Sequence, residues 1–305
     1  MLRDLLRLRF PLALVCAASV AAAFAAAESS GSGVPRPQEV FVLAGQSNML
    51  GRGFPLSAGA PSDSRLLVWR ENGWQVAADP LGNPADTANG VGPGMTFGLG
   101  VLRTLHARAV GLVQCAVAGT TITKWEPPHS VYTSCIDQVR AAGGHVDGII
   151  FLQGESDAAS ESDARSWAER FGVVVSAFRN DLGADVPIVI GQIGELTGFP
   201  YQSIVREQQA QSATMYPGVA MITTLDEKMA SDGVHFRVES YEEIGTRFAE
   251  AWWPLRRSYP GGVVRRTCAG GSGLSYAVGT RALRSTPSTT LRCVAAGVLA
   301  SLLRS

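Results

Sequence analysis

Metal-ligand spacings are missing from this sequence. There is no H-x3-H and no C-x2-C, and only four histidines occur in 305 residues. A chain so poor in clustered ligands does not read as a metalloprotein. No G-x-x-x-x-G-K phosphate loop is present either. Gly90–Gly94 (GVGPG) lacks the lysine and follows no strand, so it reads as a turn. Charge is sparse at 17% of residues and sums to zero, but the balance comes from the ends. Residues 1–27 carry +2 and residues 261–305 carry six arginines without an acid, leaving −8 on residues 28–260. An acidic body lacks the basic face that phosphate neutralisation requires, which argues against nucleic acid as a partner. No internal repeat is visible. What is abundant is apolar material, 46% of residues, enough for a sizeable core.

The amino terminus has the pattern of an export signal. Three arginines precede the apolar run Phe10–Ala27, and Ala25-Ala26-Ala27 offers an A-x-A cleavage site before Glu28. A membrane anchor is the rival reading, because about 18 apolar residues suffice to span a bilayer. Pro11 and the many alanines argue against stable spanning, so residues 1–27 are read as a signal peptide and the product as secreted or extracellular. Residues 28–37 follow as a flexible leader, and no membrane span is expected after cleavage. Cys16 would leave with the signal, and four cysteines remain: Cys115, Cys135, Cys268 and Cys293. Pairing within the body and within the tail is one of three connectivities, and buried free thiols remain equally open. Residues 259–305 are rich in Gly, Ser, Thr, Arg and Ala and read as a low-complexity, disordered tail.

Between these ends, residues 38–258 alternate short apolar runs with helical patterns. Glu39–Ala44, Gly111–Val117, Val146–Gln153, Pro187–Gln192 and Val219–Thr223 read as buried strands. Leu66–Val76 reads as a hairpin turning at Asn72-Gly73. Helical spacing covers Met95–Ala107, Val131–Ala142, Tyr201–Met215 and Glu239–Trp252. Trp167, Phe171, Val174, Phe178 and Leu182 form one face of another helix. Strands apolar on both faces and separated by helices predict an α/β domain with a central parallel sheet covered on both sides. Ligands of such sheets bind at the carboxyl ends of the strands, so a site should be assembled from strand-following loops.

Three such loops carry polar residues. Gly45-Gln46-Ser47-Asn48-Met49 follows the first strand and would expose Ser47 at its tip, though it does not match G-x-S-x-G. Ala118-Gly119-Thr120-Thr121 follows a second strand and Gln153-Gly154-Glu155-Ser156-Asp157 a third. Far downstream, Asp232 stands three residues before His235, a spacing that lets a carboxylate turn back to hold an imidazole. His106, His129 and His145 have no acid arranged in this way. Ser47 as nucleophile, His235 as base and Asp232 as orienting acid make a coherent set. The Ser47 and Gly119 amides and the Gln153 side chain could then hold an oxyanion. Each residue also has an ordinary role open to it, as helix cap, surface histidine, turn glycine or strand-end amide. A Glu155/Asp157 carboxylate pair for glycoside cleavage would leave Ser47 and His235 idle.

The four blocks, in order, resemble those of the sialate O-acetylesterase-like SGNH hydrolases, including the acetylxylan esterase-like carbohydrate esterase family 6. They are Val42–Met49 followed by Gly51-Arg52-Gly53, Ala118–Ile122 with Trp125, Gln153–Asp157, and Asp232–Phe236. Ala118 departs from the glycine that the family often has. The resemblance implies a three-layer, flavodoxin-like α/β/α fold and removal of O-acetyl groups from carbohydrate, acetylated xylan-like polysaccharide or O-acetyl sialic acid. It implies neither metal nor cofactor. Carried over by position, Ser47, Asp232 and His235 are catalytic, and Ser47, Gly119 and Gln153 form the oxyanion hole. Gln46, Asn48, Arg52 and Glu155, which flank them, are expected at the substrate. A broader esterase or lipase of this fold and an inactive carbohydrate-binding homologue are the alternatives.

Overall fold

The computed structural model describes residues 34–56, 61–183 and 185–258. The expected signal segment 1–27, most of the leader 28–37, and the tail 259–305 with Cys268 and Cys293 lie outside the described residues.

Seven strands form one sheet: β1 (Glu39–Gly45), β2 (Leu66–Arg70), β3 (Gly73–Val76), β4 (Val110–Gln114), β5 (Gly148–Leu152), β6 (Ile188–Gly191) and β7 (Val219–Ile222). Their order is β3-β2-β4-β1-β5-β6-β7, parallel throughout except for the β2–β3 hairpin. The helices are α1 (Ser47–Leu50), α2 (Gly94–Leu105), α3 (Ser130–Ala141), α4 (Glu161–Leu182), α5 (Gln202–Met215) and α6 (Val238–Ser258). Along β1, Val40, Val42 and Ala44 point into the layer formed by α3, α4 and α5, and Phe41 and Leu43 into the layer of α2 and α6. This period-2 division is why the strand is apolar at every position from Val40 to Ala44. The result is a three-layer α/β/α fold.

On the second face Phe41 meets Phe97 of α2 and Trp252 of α6 edge-on, with ring centroids 5.0 and 4.8 Å apart. Such pairs add about 0.5–1.5 kcal/mol each to the burial of their area. On the first face Trp167 stacks on Phe171 at 5.0 Å. Ser160 caps α4, its hydroxyl accepting the Asp163 N–H, and Gly183 ends it.

Two details differ from the sequence reading. The hairpin turns one residue earlier, on Glu71-Asn72, both with positive φ, and Gly73 already belongs to β3. That register sets Trp69 opposite Trp74, with ring centroids 5.3 Å apart, and cross-strand packing overrides the preference for Asn-Gly at the turn centre. Helix α6 also runs on from Trp252 to Ser258, through Pro254. The cysteine question is settled for the body: Cys115 and Cys135 form a disulfide, Cα atoms 5.1 Å apart, tying the end of β4 to α3.

The chain adds β2 and β4 on one side of β1 and β5 to β7 on the other. The carboxyl end of β1 is therefore the switch point of the sheet, where an open crevice forms.

Candidate active site

Strand β1 ends on Gly45, φ +141°, where a Cβ would lie 2.0 Å from the Leu152 carbonyl oxygen. Only glycine lets the chain turn there against β5, and two residues later α1 begins with Ser47. Ser47 keeps 7% of its surface exposed, where its buried neighbour Asn48 keeps none.

The loop before α6 supplies the partners. Asp232 Oδ1 accepts the backbone N–H groups of Val234 and His235, both at 2.9 Å, and Oδ2 lies 2.7 Å from His235 Nδ1. His235 Nε2 stands 2.9 Å from Ser47 Oγ, across 188 positions of sequence. Partial burial raises the Asp232 pKa, but the two N–H groups and the imidazole outweigh it and leave the carboxyl below its ordinary value. A carboxylate accepts only, so Nδ1 carries the ring proton and Nε2 presents a lone pair to the serine hydroxyl. Ser47, His235 and Asp232 thus form one hydrogen-bonded chain.

Val117 donates its N–H to the Gly45 carbonyl at 3.0 Å, which lays the loop after β4 beside α1. Gly119 in that loop has φ +69° and open space where a side chain would be. Among the described residues neither the Ser47 N–H nor the Gly119 N–H has an acceptor.

Gln153 departs from its expected place. It is fully buried, and its amide nitrogen donates to the Thr120 carbonyl at 2.9 Å and to the Asp157 carboxylate. Its Oε1 accepts the Trp167 indole N–H at 2.9 Å. Both amide hydrogens are committed to buried acceptors, so the side chain has none to offer an oxyanion. It secures the loop that carries Gly119 instead. Asp157, which also accepts the Ile122 N–H at 3.1 Å, is pushed up to about 7 by burial, against the opposing bonds from Gln153 and Ile122.

Of the four residues expected at the substrate, three are buried away from the surface. Asn48 is fully buried and Glu155 nearly so. Asn48 Nδ2 donates to Glu155 Oε1 at 2.5 Å and to the Val234 carbonyl at 3.1 Å. Burial raises the Glu155 pKa against that bond from Asn48. Gln46 is buried as well, its side-chain nitrogen donating to the Thr120 carbonyl at 3.1 Å and to Glu155 Oε2 at 3.2 Å. These three fasten the loops beneath Ser47 to one another, a task that follows from lying just inside a crowded switch point. Arg52 alone keeps partial exposure, and its guanidinium donates to the Ala88 carbonyl and Asn89 Oδ1 at 2.6 and 2.7 Å.

Tyr241 is the residue that sequence reasoning missed. From the first turns of α6 its buried hydroxyl donates to Asn48 Oδ1 at 2.6 Å and accepts the Phe236 N–H at 3.4 Å. In the sequence it is one more aromatic on the apolar face of a helix, and nothing there marks its hydroxyl. Among the described residues no group of three or more His, Cys, Asp or Glu side chains is placed to hold a metal ion. No helix of the described residues is long and apolar enough to cross a membrane.

Residues 37–254 match the family model described as carbohydrate esterase, sialic acid-specific acetylesterase. A probable carbohydrate esterase of Arabidopsis thaliana is 31% identical over 240 residues, 71% of this chain and 90% of that protein. A solved Arabidopsis thaliana structure superposes with a TM-score of 0.66 at 29% identity, covering 71% of this chain and 98% of that one. NanS gives a TM-score of 0.56 at 18% identity, covering 74% and 100%. A carbohydrate acetylesterase from Xanthomonas citri gives 0.55 at 17% identity, covering 72% and 56%; both of these are likenesses of fold.

Proposed function

We propose that this chain, which belongs to the carbohydrate esterase family of sialic acid-specific acetylesterases, removes O-acetyl groups from carbohydrate through an acyl-enzyme on Ser47. One observation carries the reading: the unbroken run from Asp232 through His235 to Ser47, at 2.7 and 2.9 Å.

In this mechanism His235 Nε2 takes the Ser47 proton as Oγ attacks the acetyl carbonyl. Asp232 holds the ring and stabilises the imidazolium. The oxygen that gains negative charge is held by the Ser47 and Gly119 N–H groups, both free of internal acceptors. Collapse of the tetrahedral adduct expels the sugar alkoxide, which takes the proton from His235, and leaves acetyl on Ser47. Water then gives a proton to His235 and attacks the acetyl group. Acetic acid departs as Ser47 recovers its hydrogen from His235, and the acid then loses its proton to solvent as acetate. Atoms and protons balance with no further co-reactant.

Secretion belongs to the same proposal. A buried Cys115–Cys135 bond suits an oxidising compartment and supports the reading of residues 1–27 as an export signal.

The test is acetate release from acetylated xylan and from O-acetyl sialic acid, measured side by side with purified protein and its Ser47→Ala variant. Release that disappears with Ser47 supports the reading. No release from either substrate, or turnover retained by Ser47→Ala, overturns it.

A further inference from the structure

Two clefts lie end to end along the outer edge of the sheet, between the β2–β3 hairpin and α3, and share Trp69 as a wall. The first, about 340 Å³, opens at the carboxyl end of the strands and is lined by Arg70, Glu71, Gln114 and Gln138 among others. The second, about 330 Å³, continues past Trp74 towards His145, with Ala141 and Ala142 of α3 on its flank. Gln138 lines the first and Ala141–Ala142 the second, one turn apart on or beside the same helix, so the two clefts flank Trp69 and together are treated as one groove.

The wall of the first cleft touches α1, the helix that begins with Ser47. Gln114, in its wall, donates to the Met49 carbonyl at 3.4 Å, and Met49 lies in α1 two residues after Ser47. Gly82, also in its wall, packs so closely on Leu50 of α1 that a Cβ would come within 2.7 Å of it. In the sheet β2 is separated from β1 by β4 alone, so the groove stands about 10 Å from the end of β1 at about 4.8 Å per strand spacing.

Its chemistry is mixed in a particular way. Half-buried Trp69 and Trp74 present flat apolar surface at the free edge of the sheet, where no helix closes over them completely. Around them stand planar polar groups with unused capacity. The Gln138 amide has no partner among the described residues, and Arg70 spends only Nη2, on the carbonyls of Pro80, Leu81 and Gly82. Aromatic faces beside amide, guanidinium and carboxylate groups match a ring with an apolar C–H face and hydroxyls at its rim. A lipid chain would leave these polar groups unpaired, and the Glu71 carboxylate opposes a polyanion.

We propose that the groove binds a run of unreacted sugar residues, so that the Ser47 site acts on acetyl groups carried by an oligosaccharide or polysaccharide rather than by a free monosaccharide. This rests on the carbohydrate-esterase reading. Binding is tested on the inert Ser47→Ala protein, titrated calorimetrically with xylohexaose and with cellohexaose, with and without Gln138→Phe, which fills the groove from a partly exposed helix position. At least one hexaose should bind, and Gln138→Phe should weaken it at least tenfold. On active protein, kcat/KM for acetylated xylan, divided by that for p-nitrophenyl acetate in the same variant, should fall at least tenfold through KM. Binding of neither hexaose, or ratios unchanged by Gln138→Phe, overturns the proposal. Acetate release from O-acetyl sialic acid but not from acetylated xylan overturns it too, while leaving the esterase intact. Hexaose binding that Gln138→Phe removes, in a protein that cleaves no acetyl ester, upholds the groove and overturns the esterase reading.

Discussion

Tyr241 and Asn48 stand 193 positions apart in the chain and share a 2.6 Å hydrogen bond beneath the Ser47–His235 pair. The same tyrosine oxygen accepts the N–H of Phe236, the neighbour of His235, and the same asparagine donates to the carbonyl of Val234, on its other side. The His235 loop is thereby clamped to the helix that carries Ser47, from both flanks. The 2.9 Å contact between Ser47 and His235 is held from below by a buried polar cluster.

Tyr241→Phe should therefore loosen the pair without unfolding the protein. Asn48 Oδ1 loses its donor in a buried place, which costs about 1–3 kcal/mol. The expected result is a fall in kcat of about tenfold or more with KM little changed, together with a lower melting temperature. Equal loss of stability with unchanged kcat would assign Tyr241 to packing alone.

The chain of Asp232, His235 and Ser47 makes a graded prediction. Ser47→Ala and His235→Ala should each abolish acetyl-ester turnover while the far-ultraviolet circular dichroism stays native. Asp232→Asn should cost on the order of 10³–10⁴ in kcat by releasing the imidazole tautomer. Combining Asp232→Asn with His235→Ala should cost no more than His235→Ala alone, because the residues act as a unit. Additive losses would argue against a common chain.

The Cys115–Cys135 bond closes 20 residues of sequence separation. Removing such a cross-link frees the unfolded chain by about 3 kcal/mol on the loop-entropy account. Cys115→Ser combined with Cys135→Ser should lower the melting temperature by about 6–12 °C at the usual scaling for a domain of this size. Because neither sulfur touches the reacting groups, kcat measured well below the new midpoint should hold.

Stability should also decline from acid to neutral pH. Burial pushes Asp79 up to about 7, with the Gly92 N–H opposing and the charge of Glu242 adding, and its Oδ1 lacks a partner. The unfolded carboxyl titrates near 3.9, so between about pH 4 and 7 the folded state binds the extra proton. Stability is thus fully present below the lower value and is lost as pH rises through the upper one. Burial likewise raises Glu39 and Asp157 to about 7, so the three add in the same direction. Asp79→Asn should reduce that slope and raise stability at pH 8 by about 2 kcal/mol, a figure discounted for the side chain's remaining exposure. Melting curves at pH 5 and pH 8 check it; an unchanged pH slope would assign the decline to other groups.

The sequence by itself determined the strands, because a sheet covered on both faces must be apolar at every position, as in Val40–Ala44 and Ile149–Leu152. It also indicated which loops meet at one place, since polar residues directly after such strands have only the carboxyl edge of the sheet to occupy. The Asp232–His235 pair was legible because both partners lie in one short loop. Tertiary structure decided the rest. Whether Gln153 turns towards the opening or towards Thr120, Asp157 and Trp167 depends on residues brought in by three other segments. Asn48 and Glu155 are buried because α6 and the His235 loop close over them, and the hairpin register yielded to the Trp69–Trp74 contact. Cys135 meets Cys115 because the fold brings α3 to the end of β4. A local pattern records how a segment alternates between inside and outside; a buried polar group takes its direction from its partners, and here those partners are distant in the chain.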